Sequence, residues 1–273
     1  MYQLHLMRRL GLVALVVVLT GAVPLIGARP QSASPELPEK VELFAAIDAG
    51  QVDVRMIVRD STQASVLIAN RTEKPLAIRL PEVFAGVPVL AQFGNNDNNN
   101  DRNDRNNSNQ GVGGGMGGGM GGGMGGGMGG GFFNVAPEKI AKIKVAAVCL
   151  EHGKKEPNSR ITYEIQPLEK LQSSPGVLEV CSMLGNGVID QRAAQAAAWH
   201  LANQMSWQQL AAKYVKRAGG RREPYFNRLE LIRGVQIVQE AKRRTELRKN
   251  YESTRELSDS DSGRSQTTTT PGQ

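Results

Sequence analysis

Apolar and polar positions alternate along the N-terminal half. Val52, Val54, Met56 and Val58 share one side, with Asp53, Arg55 and Arg59 on the other. A period of two predicts a strand with one buried face. A second strand fits Ser65 to Ala69, followed by the polar turn Asn70-Arg71-Thr72-Glu73-Lys74-Pro75. Leu76, Ile78 and Leu80 then alternate with Ala77 and Arg79. Ahead of these, Val41 to Ala49 predicts a short helix stopped by Gly50. The alternation resumes after Phe132: Ile143, Val145, Ala147 and Cys149 fall on one face, Lys142 and Lys144 on the other, which turns Cys149 toward the core. Ile161 to Ile165 fits one more strand. Short strands separated by turn signals at this spacing predict an antiparallel sandwich.

From Ser174 the period becomes helical. Ser174 is a good N-cap with Pro175 at the first helical position, and Gly185 is a stop. Val177, Cys181 and Leu184 form the apolar face of that helix. Asp190 caps an Ala-rich helix through Asn203, with Gln195 one turn before Trp199. Ser206 and Gln209 predict a capping box for a third helix, broken at Gly219-Gly220. A last helix starts near Pro224, with Tyr225, Leu229, Ile232, Val235 and Val238 as its stripe. The predicted class is α+β, an antiparallel β-sandwich-like N-terminal part followed by a helical C-terminal part.

Composition divides the chain further. Residues 95–109 are nearly all Asn, Asp, Arg and Ser, and a Gly-Gly-Gly-Met repeat then runs through Met116, Met120, Met124 and Met128 to Gly131. So much glycine predicts a disordered insertion over 95–131, because ordering it costs more entropy than its few side chains return. Cu(I) bound by the methionines is the alternative there, since soft thioethers suit it. The insertion splits a β-rich domain, 41–94 plus 132–165, whose flanking strands are expected in one sheet. A linker covers 29–40, a helical subdomain 166–218, a basic helix 221–252 and a disordered polar tail 253–273.

The N-terminus suggests an address. Arg8 and Arg9 precede an apolar run from Leu10 to Ile26 and then Gly27-Ala28. This is the layout of a signal peptide over 1–28, with an uncleaved membrane anchor as the alternative. Either way the protein is expected to be exported to the periplasm, cell surface or medium, and to meet a membrane only through that segment.

The chain carries a formal net charge of +7. Positive charge gathers near the C-terminus, with 12 Lys and Arg against 4 Glu from Lys213 to Lys249. Two readings follow: contact of this basic helix with a polyanion or envelope surface, or a solvated helix face. No aromatic residues are interleaved to stack bases, which argues against nucleic acid.

No nucleotide-binding loop, catalytic triad or paired-carboxylate site is legible, so no enzyme activity and no cofactor is expected. What chemistry there is gathers between Lys144 and His200. Both cysteines, Cys149 and Cys181, lie there, and so do His152 and His200, every histidine but His5. Four states of the cysteines remain open: a Cys149–Cys181 disulfide, usual in an exported chain; a bond between Cys149 and Gln195; zinc held by Cys149, His152, Cys181 and His200; or plain buried thiols.

Val148-Cys149-Leu150-Glu151 leaving a strand, followed by Gln195-x-Ala197-x-Trp199 on a helix, resembles the bacterial thioester domain of surface adhesins over roughly residues 143–210. The resemblance implies an internal thioester between Cys149 and Gln195, an activated acyl group able to acylate a partner's amine or hydroxyl. Trp199 would keep the site dry, and His152 and His200 would stand near it as bases. The layout as a whole also resembles secreted proteins of planctomycete bacteria. The leading expectation is a non-enzymatic exported interaction or structural protein with an unknown surface or matrix partner. The alternative is a covalent adhesin acting through the thioester.

Overall fold

Six strands close into a barrel in this computed structural model, which describes residues 37–89, 109–116, 132–172 and 174–264. The barrel strands are β2 (Val52–Val58), β3 (Gln63–Asn70), β5 (Val83–Pro88), β6 (Val112–Gly115), β8 (Ile140–Cys149) and β9 (Tyr163–Gln166). Their order is β2-β3-β8-β6-β5-β9, every neighbouring pair is antiparallel, and Met56 opposite Tyr163 closes the ring. A separate sheet holds β4 (Leu76–Arg79) between β1 (Glu39–Glu42), parallel to it, and β7 (Phe132–Val135), antiparallel. The chain is α+β, with its sheets N-terminal and a long helix at the C-terminal end.

The period of two seen in the sequence sorts side chains to the two sides of the barrel wall. Met56, Val58, Val66, Ile68, Phe84, Val145, Ala147 and Cys149 belong to one buried cluster, which fills the interior. Ala85, Val148 and Leu150 alternate with these and belong to a second cluster. Helices α3 (Pro175–Gly185), α4 (Gln191–Asn203) and α6 (Arg228–Arg264) cover that outer face, contributing Val177, Cys181, Ala194, Ala197, Val238 and Ala241. Alanine at so many positions of α4 lets the helix lie close to the wall and to its neighbours. The remaining helices are short: α1 (Leu43–Asp48), α2 (Leu168–Leu171) and α5 (Trp207–Ala212).

Several helix starts fall where capping chemistry put them. Asp190 accepts from the Ala193 N–H at 3.0 Å to open α4. Ser206 and Gln209 form the expected reciprocal box before α5. A second box, Asn227 with Glu230, opens α6 three residues beyond Pro224.

Four expectations need correction. Part of the stretch expected to be disordered is a barrel strand: Val112 to Gly115 are all buried between β5 and β8. Glycine is required there by close approach, since a Cβ on Gly113 would lie 2.8 Å from the Cys181 Sγ and one on Gly115 2.5 Å from the Cys181 carbonyl oxygen. The rest of that insertion, 95–108 and 117–131, lies outside the described residues. The strands flanking it do not share a sheet, because β5 is in the barrel and β7 pairs with β4. The third helix does not run to Gly219-Gly220. It ends at Ala212, and Lys213 leads into a hairpin of β10 (Tyr214–Lys216) and β11 (Arg222–Pro224). Gly219 and Gly220, at φ of +79° and +77°, form its turn, a conformation that favours glycine. Finally, α6 continues through 253–264, where a tail was expected.

Residues 1–28, expected to be a signal peptide or anchor, also lie outside the described residues. Among those described, no helix is long and apolar enough to cross a membrane.

Candidate functional site

β3 pairs with β8 only as far as Gln63 opposite Ala146, so the last residues of β8 extend beyond their neighbour on that edge. Helix α4 occupies the vacated edge with two glutamines one turn apart. Gln191 donates Nε2–H to the Ala147 carbonyl at 2.9 Å. Gln195 makes two bonds: its Oε1 accepts from the Cys149 N–H at 2.8 Å, and its Nε2 donates to the Cys149 carbonyl at 2.9 Å. The spacings match, since four helical residues advance about 6 Å and two strand residues about 6.8 Å. Gln195 is 1% exposed and Cys149 0%. The structure therefore brings together the cysteine and the glutamine singled out in the sequence.

Cys149 and Cys181 are free, buried thiols and do not form the expected disulfide. The reason is the barrel wall. Cys149 follows Val145 and Ala147 on the inner face, whereas Cys181 packs from α3 onto Gly113 outside. Burial pushes the Cys149 thiol well above its ordinary range, and the charges of Glu156 and Asp60 push it further. Cys181 is pushed up to about 12 by burial alone. Neither is a thiolate at neutral pH.

Trp199, one turn after Gln195, is 2% exposed and sits in an aromatic cluster. Its ring centroid lies 4.8 Å from His152, edge-on, 5.3 Å from Tyr225 and 5.9 Å from Phe226. The Lys213 Nζ stands 5.1 Å from the Trp199 centroid and 5.2 Å from that of Tyr225, within cation–π range. It also lies 3.0 Å from the His152 Nε2. An ammonium there donates to an unprotonated nitrogen, in keeping with His152 being held below its ordinary pKa by burial and by the Lys213 charge. Burial lowers Lys213 as well, with Glu156 opposing. The Trp199 Nε1 is a buried donor with no partner among the described residues. Arg192 covers the Tyr225 and Phe226 rings at 4.6 and 5.2 Å.

His152 thus joins the site and His200 does not. The His200 ring stacks on Trp207 at 4.6 Å, with Nδ1 2.7 Å from the Met205 carbonyl oxygen. The four proposed zinc ligands are therefore not assembled, and no group of three or more potential metal ligands occurs among the described residues. Gln191, Lys213, Tyr225 and Phe226 were missed. Gln191 was legible, being four residues before Gln195 on the same helix face. Lys213 and Tyr225 are hidden in the sequence because Gly219-Gly220 has the pattern of a helix stop, whereas in the fold it is a hairpin turn. That hairpin brings its two roots together, with the Tyr225 N–H donating to the Lys213 carbonyl at 2.8 Å.

No family model matches the chain, and no match is found among curated proteins or solved structures.

Proposed function

We propose that the protein is an exported, non-enzymatic interaction protein that attaches to its partner covalently through Cys149 and Gln195. The observation that carries this is the seating of the Gln195 carboxamide on the main chain of Cys149, in a buried site where that cysteine has no disulfide partner. The thiol of Cys149 adds to the Gln195 carbonyl carbon, the C–N bond breaks, and ammonia leaves with the thiol proton. The product is an S–C(=O) bond within the chain. A partner's amine then attacks the same carbon, forming an amide and returning the thiol to Cys149.

The surroundings suit an acyl group held in reserve. A site that strongly disfavours thiolate makes sulfur a reluctant leaving group and so protects the bond until a proton is supplied. Trp199, Tyr225 and Phe226, buried in the same cluster as Cys149, shield it from water, and the Trp199 Nε1, without a partner among the described residues, is a donor of the kind that stabilises a developing oxyanion. His152, edge-on to Trp199 and paired with Lys213, is a proton carrier within the aromatic cluster.

The same two hydrogen bonds favour a second reading. They are the bonds a neighbouring strand would make, so Gln195 also serves as a structural clamp, and the protein then binds its partner without a covalent step. Intact mass of the exported, unreduced protein separates the two. The thioester shows a deficit of one ammonia that disappears with methylamine, is abolished by Gln195→Ala and survives Cys181→Ser. A full-mass protein with two free thiols would overturn the covalent reading and leave the clamp.

A further inference from the structure

We infer that one face of the β10–β11 hairpin is a docking surface for an acidic polysaccharide. The basic C-terminal region is not uniformly uncompensated. On α6, Arg243 and Arg244 share Glu240 at 2.7 Å each, Lys249 meets Glu246 at 3.2 Å, and Arg248 meets Glu179 at 2.8 Å. On one face of the hairpin, Arg217 and Arg221 share Glu223 at 2.9 and 3.2 Å. The other face carries Tyr214 and Lys216 from β10 and Arg222 and Pro224 from β11, by the pairing of Tyr214 with Pro224 and Lys216 with Arg222. Neither Lys216 nor Arg222 forms an ion pair among the described residues, and Arg222 instead lies over the Tyr214 ring at 4.5 Å.

Two cations directly opposite each other across a strand pair repel and weaken the hairpin. Among the described residues no carboxylate pairs with either cation, and only the Tyr214 ring meets Arg222, whereas a polymer carrying regularly spaced anions would neutralise both. The aromatic ring selects among polyanions. Tyr214 is 43% exposed and carries Arg222 over its ring, a pairing of aromatic and cation that suits the C–H face and the carboxylate of an acidic sugar together. An acidic peptide would need the cations only. The location adds to the case, because the hairpin is rooted in Lys213 and Tyr225, both in contact with Trp199. A glycan held on this arm would lie beside the proposed thioester. Docking itself does not depend on that bond.

The test uses the full-length protein with Cys149→Ala, so that only reversible binding is read, and three immobilised probes: a uronic-acid polymer, poly-L-glutamate and neutral dextran. The uronic-acid polymer should retain the protein at low salt and release it as salt rises. The pair Lys216→Gln and Arg222→Gln, neutral and exposed, should weaken retention at least tenfold. Tyr214→Ala should weaken it severalfold, and Arg233→Glu with Lys242→Glu on α6 should not. Equal retention on poly-L-glutamate with no effect of Tyr214→Ala would mean an acidic peptide or charge alone, and would overturn the proposal. So would retention lost equally with the α6 pair, or no retention at all. Because Cys149 is absent throughout, a negative result leaves the thioester reading untouched, and the mass measurement on the wild-type chain decides that one separately.

Discussion

The side chain of Gln195 gives Cys149 both hydrogen bonds that an adjacent strand would supply, at 2.8 and 2.9 Å. A carboxamide can do this because it carries a donor and an acceptor side by side, as a peptide group does. The contact joins the helical layer to the barrel at one residue. It also places an acyl carbon beside a cysteine, so the structural clamp and the proposed thioester use the same side chain.

Removing the clamp should be costly. Gln195→Leu leaves the N–H and C=O of Cys149 buried and unpaired, and about 1–3 kcal/mol is expected for each orphaned group. Gln191→Leu frees the Ala147 carbonyl and loses a longer 3.4 Å bond to the Ser61 carbonyl but orphans no main-chain donor, and should cost less. Urea unfolding of the two variants and their combination would check the order. A loss under 1 kcal/mol for Gln195→Leu would show that water replaces it.

Strand β6 should be indispensable despite its composition. Gly113→Ala forces a Cβ to within 2.8 Å of the Cys181 Sγ, and Gly115→Ala to within 2.5 Å of main-chain oxygen. Overpacking of this kind costs about 1–3 kcal/mol. Gly115→Ala should be the worse, because backbone yields less than a side chain. Replacing 109–116 with a Gly-Ser linker should lower the melting temperature sharply, since the barrel would open between β5 and β8.

The ion pairs of α6 should differ in weight. Glu179 is buried, and Arg248 holds it at 2.8 Å while also reaching Glu82 at 3.5 Å. Breaking a fully buried pair costs about 3–5 kcal/mol. Arg248 is 42% exposed, so about 1–2 kcal/mol is expected for Arg248→Ala after screening. Arg243→Ala, at the surface, should leave the unfolding midpoint where it is. Equal effects would mean that Glu179 finds water when Arg248 is gone.

The His152–Lys213 pair should be visible in pH titrations. His152 titrates below its ordinary 6.5 in the folded protein, chiefly from burial and then from the Lys213 charge. The unfolded chain therefore binds more protons between the lowered value and 6.5. This contribution to stability is complete above 6.5 and is lost as the pH falls through that window. Lys213→Met should raise the His152 value without restoring it to 6.5, because burial remains. NMR titration of the imidazole protons would read this directly, and an unchanged value would rule out the pairing.

Local patterns in the chain sufficed for most of the elements. The alternation from Val52 to Val58 and from Ile143 to Cys149, the caps at Asp190 and Ser206, and the stop at Gly185 all depend on residues a few positions apart, so they are written locally. Cys149, Gln195, Trp199 and His152 were legible for the same reason, as rare residue types in short motifs. Tertiary packing settled what local pattern leaves open. Val112 to Gly115 reads as glycine-rich coil, and becomes a strand only because β5, β8 and α3 surround it and leave no room for a Cβ. The two cysteines both lie on apolar faces, yet only closure of the barrel puts a wall between them. Lys213 and Tyr225 reach Trp199 because a hairpin folds there, and His200 is drawn off by Trp207. Each of these depends on which surfaces remain exposed once every other element has packed, and no short window of sequence contains that information.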